Sequence, residues 1–135
     1  MWLSMLNTKE TLKFLDLAIY MVSLDGNPTE AQKSLMNRIF REVGFVAPDY
    51  SFDKRESIED TVDFFANSNT VVKNVVFLNL VKISLVDDLY NTTEHQFLVE
   101  LQSKLGITQA KRKVLMTLAY EERDLREKVA RAVKE

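Results

Sequence analysis

The chain has 135 residues, 46% of them hydrophobic and 28% charged, and carries a formal net charge of -2. That is the composition of one packed domain, of a size that buries roughly two thirds of the surface its unfolded chain exposes, and it excludes disordered and fibrous classes. Cysteine is absent, which excludes disulfides, thiolate metal sites and a cysteine nucleophile, and favours the reducing cytosol. No run approaches the 18 or more apolar residues of a membrane span, and Met1 to Leu6 lacks the basic flank and the length of a signal segment. From Lys111 onward there are eight Lys/Arg against five Asp/Glu, with ten against fifteen before it. So small a basic excess cannot neutralise several phosphates. The expectation is a cytoplasmic protein with no nucleic-acid partner and no membrane span.

Three glycines and two prolines favour long helices over an all-β chain. Thr8 to Leu24 places Leu12, Leu15, Ile19 and Val22 at helical spacing, with Phe14, Ala18 and Met21 beside them, and predicts a first helix capped by Thr8. Asn27-Pro28-Thr29-Glu30 predicts the start of a second, with an asparagine cap, a proline in the first helical position and a carboxylate in the third. This helix runs through Leu35, Met36, Ile39, Phe40 and Val43 and closes at Gly44. Phe45 to Ser51 reads as a loop around Pro48, and Ser57 to Ala66 as a third helix with Ile58, Val62 and Phe65 on one side. Val71 to Val86 is rich in β-branched residues but too long for an ordinary strand. Asn91-Thr92-Thr93-Glu94 opens a fifth helix through Phe97, Leu98, Leu101 and Leu105, closed by Gly106. Thr108 caps a sixth, expected to turn Val114, Leu115, Leu118, Ala119, Leu125 and Val129 inward, to kink or split at Glu121 to Asp124, and to fray at its end.

A shift of 62 residues, without gaps, aligns Phe14 with Val76, Leu15 with Phe77, Ala18 with Leu80, Met21 with Ile83 and Asp25 with Asp87. The register continues with Leu35 on Phe97, Met36 on Leu98, Ile39 on Leu101, Val43 on Leu105 and Gly44 on Gly106. An internal repeat of this kind makes Val71 to Val86 a fourth helix. The expected architecture is an all-α bundle of six to seven helices built from two pseudo-repeated hairpins. It forms one domain over 1–135, with hairpins at about 8–45 and 70–107 and a C-terminal helix over 108–135.

A helix ending in Leu24-Asp25-Gly26, an acidic helix start at Glu30, a second acidic turn at Asp87-Asp88 followed by Glu94, and a Leu105-Gly106-Ile107 close together resemble the tellurite-resistance TerB-like family. The resemblance covers about Phe14 to Ile107. Related domains stand at the front of membrane-anchored DnaJ-type co-chaperones. It implies an all-helical bundle of stress-related or unassigned role, metal binding by acidic residues at the paired turns, and no established reaction. In this chain the second turn has Asp88 where Gly26 predicts a glycine, and Asn91 falls two residues later than Asn27 predicts.

The candidate metal ligands are therefore Asp25, Asp87, Asp88, Glu30 and Glu94, a carboxylate set suited to Mg²⁺, Ca²⁺ or Mn²⁺ but short of the oxygen count that tight sites need. Helix capping accounts for Glu30 and Glu94 without an ion. An EF-hand starting at Asp25 fails, because Met36 falls where the bidentate glutamate belongs. His95 is the only histidine; it adjoins Glu94 in a helix start, with no nucleophile motif nearby. Phe64, Phe65, Phe40, Phe97 and Met36 are read as core. Trp2-Leu3 and Met5-Leu6 need cover, supplied by the bundle itself or by a homodimer contact through Trp2, Leu3 and Leu6. The functional expectation is a non-enzymatic module that binds an unidentified protein, with weak divalent-cation binding at the acidic turns; the alternative is a metal-dependent hydrolase using the paired carboxylates.

Overall fold

Short polar side chains start the helices, each by accepting a hydrogen bond from a backbone N–H that the first turn leaves without an intrahelical partner. The computed structural model describes residues 2–24, 26, 28–42, 58–86 and 91–135. Helix α1 (Thr8–Val22) is capped by Asn7, whose side chain accepts from the Glu10 N–H at 2.8 Å while Glu10 Oε1 accepts from the Asn7 N–H at 2.9 Å. Thr8 is thus the first helical residue rather than the cap. The reciprocal pair needs a carboxylate or amide three residues on, and Thr8 has only Thr11 there.

Helix α2 (Glu30–Glu42) starts later than Asn27-Pro28 suggests. Thr29 Oγ1 accepts from the Gln32 N–H at 3.1 Å, and Gln32 Oε1 accepts from the Thr29 N–H at 3.1 Å. Thr29-x-x-Gln32 is a complete capping box, so Pro28 stays outside the helix and Glu30 opens it. The proposed close of this helix at Val43-Gly44, the loop around Pro48, Ser57 and the cap residue Asn27 lie outside the described residues.

Helix α3 (Ile58–Ala66) buries Val62 and Phe65 and half-buries Ile58. Helix α4 (Thr70–Ser84) is capped by Asn69, and α5 (Thr92–Lys104) by Asn91, whose side chain accepts from the Glu94 N–H at 2.9 Å. At the end of α5 the Gly106 N–H donates to the Ser103 carbonyl and the Ile107 N–H to the Gln102 carbonyl, with Gly106 at φ +72°. This is the Schellman arrangement, with glycine in the left-handed position. Thr108 caps α6 (Gln109–Lys134), which is one unbroken helix: Glu121 to Asp124 neither kinks nor splits it.

The repeat is visible in the helix boundaries. Helices α1 and α4 are offset by 62 residues at both ends, and α2 and α5 by the same 62 at their starts. The caps follow the same shift, Asn7 with Asn69 and Thr29 with Asn91. The late position of Asn91 noted in the sequence disappears, because Thr29 and not Asn27 is its counterpart.

Helix α4 lies at the centre and touches the other five helices and a 3-10 turn at Leu3–Met5. Val72, Val75, Val76, Phe77, Leu80, Val81 and Ile83 are all buried and take up most of the helix's circumference; the sector of Val71, Asn74 and Leu78 is not fully covered. A helix with apolar residues around most of its circumference is a core helix, and this explains the β-branched content that imitates a strand. Leu3 and Leu6 are buried in the same core, while Trp2 and Met5 are exposed. The chain therefore covers Leu3 and Leu6 itself, and neither is free for the homodimer contact through Trp2, Leu3 and Leu6. Phe40, Phe65 and Met36 are core residues; Phe64 and Phe97 pack against the core from its edge. The Lys9 and Lys13 amines stand 5.3 and 5.0 Å from the centre of the Phe64 ring, and the Tyr20 and Phe97 rings are 5.4 Å apart.

A Cβ added at Gly106 meets no atom within 4 Å, so Gly106→Ala carries a conformational cost alone, about 1 kcal/mol. Urea unfolding should show that loss; an unchanged midpoint would contradict the left-handed turn.

Candidate functional site

Two of the five candidate metal ligands, Glu30 and Glu94, fall among the described residues, and their surroundings differ. Glu30 is the first residue of α2, almost fully exposed, with an oxygen 3.6 Å from Lys33 Nζ. Such a surface pair contributes at most about 1 kcal/mol, and a carboxylate also suits the positive end of the helix. Asp25, Asp87 and Asp88 lie outside the described residues.

Glu94 is buried, only 3% exposed. Gln32 Nε2 donates to both of its oxygens, at 3.3 and 3.1 Å, and Asn91 Nδ2 donates to Oε2 at 3.3 Å. Gln32 and Glu94 stand 62 residues apart, so they occupy the same position in the two repeats. The result is a continuous polar link from the Thr29 cap through Gln32 and Glu94 to the Asn91 cap, joining the starts of α2 and α5. The two helix starts Asn27-Pro28-Thr29-Glu30 and Asn91-Thr92-Thr93-Glu94 set Glu94 against Glu30 instead. The signal for the true pair was present, since Thr29-x-x-Gln32 and Asn91-x-x-Glu94 align at the shift of 62. His95, next in the chain, is half-buried in the first turn of α5. Among the described residues no group of three or more His, Asp or Glu side chains is arranged to hold a metal ion.

A second polar cluster joins α2, α4 and α6. Lys82, on the core helix, is 7% exposed, and its Nζ lies 2.9 Å from Glu122 Oε1, a half-exposed carboxylate of α6. Burial of an ammonium group is costly unless a carboxylate neutralises it, so the pair fixes where α6 crosses α4. Leu35, Arg38 and Glu42 of α2 and Arg126 of α6 line the same cavity, of about 180 Å³. Its chemistry is one of opposed fixed charges, three cations and two carboxylates.

The third feature is α6 itself. Only Leu115 and Ala119 are buried, and every residue from Asp124 to Glu135 is exposed. Val114, Leu118, Leu125, Val129 and Val133 are 50% to 79% exposed. The expectation that Val114, Leu118, Leu125 and Val129 face inward is therefore corrected. At about 100° per residue, Val114, Leu118, Leu125 and Val129 form one stripe roughly a quarter-turn from Leu115 and Ala119. The smaller Leu115–Ala119 side packs against the core, and the larger side is left facing solvent.

No known family, curated protein or solved structure matches the chain. The functional reading accordingly rests on the geometry.

Glu94→Ala leaves the buried Gln32 amide without its acceptor and should destabilise the fold by about 1–3 kcal/mol. Glu94→Gln keeps an oxygen in place and should cost clearly less. Equal, small losses for both variants in urea unfolding would contradict a structural role for the link between the caps.

Proposed function

We propose that this protein is a non-enzymatic, TerB-like helical module of the cytosol that acts by binding another protein chain through α6. The observation that carries the reading is the exposed apolar stripe of that helix. An isolated helix of eleven residues or so is marginal in water, and every residue of the segment over 124–134 is exposed. Large exposed aliphatic residues at helical spacing are the surface by which an amphipathic helix docks on a partner. The repeat of two helical hairpins supports the family assignment, and the absence of cysteine supports the compartment. None of the described helices is long and apolar enough to cross a membrane.

In this reading the buried polar groups serve the scaffold. The Gln32–Glu94 link holds the two hairpins in register, and the Lys82–Glu122 pair holds the base of α6 so that the helix beyond it is presented at a fixed angle. Divalent-cation binding at the acidic turns is then a property of Asp25, Asp87 and Asp88, because Glu94 is committed to Gln32 and Asn91.

Light scattering on the protein purified under mild conditions tests the proposal. It should show an assembly heavier than one chain. The double variant Leu118→Asp/Leu125→Asp, with both changes at exposed positions, should keep its helicity and lose that assembly by at least tenfold in affinity. An assembly of undiminished stability in the variant would contradict binding through α6.

A further inference from the structure

Beside the apolar stripe of α6, charge reverses sign once along the row from Glu121 to Arg131. Glu121, Asp124, Lys128 and Arg131 are spaced i, i+3, i+7 and i+10, so they form one row on a single flank, and all four are exposed. The row reads acid, acid, base, base. On the other flank Glu122 and Arg126 repeat the order, with Glu122 already held by Lys82.

We propose that this face binds the same face of a second copy of the chain, with the two α6 helices antiparallel about a twofold axis near residue 126. The proposal rests on the interaction reading above and names its partner.

The charge order decides the orientation. Parallel helices in register would set acid on acid and base on base, which is unfavourable along the whole row. Antiparallel helices set Glu121 opposite Arg131 of the second copy and Asp124 opposite its Lys128, and the twofold repeats both pairs. A self-complementary row of this kind is what an isologous contact requires, since each residue must meet its partner twice. The apolar stripe fits this axis to within about 3 Å along the helix. Leu125 and Val129 lie on either side of it and come within two residues of the level of the Val129 and Leu125 of the second copy, while Leu118 comes within one residue of the level of its Val133. Ala132, in line with the stripe, adds no bulk to keep the helices apart.

The contact is short. Leu118 to Val133 spans about 24 Å of helix, less than the surface of a permanent dimer. The dimer therefore forms and dissociates with concentration, with the flanking charges setting orientation and salt sensitivity rather than strength.

Sedimentation equilibrium and cysteine cross-linking test it. The wild type should dimerise reversibly. Glu121→Lys/Asp124→Lys and Lys128→Glu/Arg131→Glu should each weaken self-association at least tenfold, and an equimolar mixture of the two should recover it as a heterodimer. Because the chain has no cysteine of its own, single substitutions map the axis cleanly. Under mild oxidation Leu125→Cys should form a disulfide between copies. Val114→Cys should not, since its counterpart lies about 36 Å away along the paired helices. Equal cross-linking at the two positions, or charge variants that associate like the wild type, would overturn the antiparallel pair. A wild type that stays monomeric to about 1 mM, yet binds foreign chains through Leu118 and Leu125, would overturn the dimer and leave the interaction reading standing.

Discussion

A helix that is apolar over most of its circumference has to be covered on most of its sides, and α4 imposes that requirement on the rest of the chain. Seven of its aliphatic and aromatic residues, from Val72 to Ile83, are buried, and every other helix touches it. Burial of that many side chains, each contributing about 1.5–3 kcal/mol, fixes α4 as the axis of the bundle. Helices α1 and α2 cover it from one hairpin, α5 completes the other, and α6 closes the remaining side with Leu115, Met116, Ala119 and the Glu122 carboxylate on Lys82. The apolar residues on the other side of α6 stay exposed.

Polar groups inside such a core have to be paired, and the pairs here say how the parts are aligned. Gln32 and Glu94 occupy equivalent repeat positions and are bonded to each other in the interior. Their link is specific to one register, because a helix slipped by one residue would turn either side chain away from the other. Lys82 plays the corresponding role for α6. It is the one cation among the buried side chains of α4, and Glu122 must come to it. The direction of α6 beyond Glu122, and so the presentation of Leu125 and Val129, follows from that pair.

Much of this was legible in the residues, for identifiable reasons. Asn91 and Thr108 cap the helices they were expected to cap, Gly106 closes α5, and the shift of 62 residues appears in the helix boundaries. Where a reading missed, two plausible signals competed. Asn27-Pro28 and Thr29-x-x-Gln32 both announce a helix start, and the capping box won because it satisfies two donors at once. In α6 the apolar residues cover more than half the circumference, so periodicity alone could not say which part meets α4; Lys82 decides it, through an ion pair between residues 40 positions apart in the chain. The aspartate turns that carry most of the resemblance to the TerB-like family, Asp25 and Asp87-Asp88, lie outside the described residues, so the metal site remains an expectation of the sequence.

The proposed role requires the second half of α6 to be an interface rather than a part of the bundle. Amide hydrogen exchange, followed residue by residue as a function of protein concentration, tests it most directly. In dilute solution the amides of 124–134 should exchange orders of magnitude faster than those of α4, as for a helix without packing, and should gain protection as assembly proceeds. Protection over 124–134 equal to that of α4 in a dilute monomer would contradict the account.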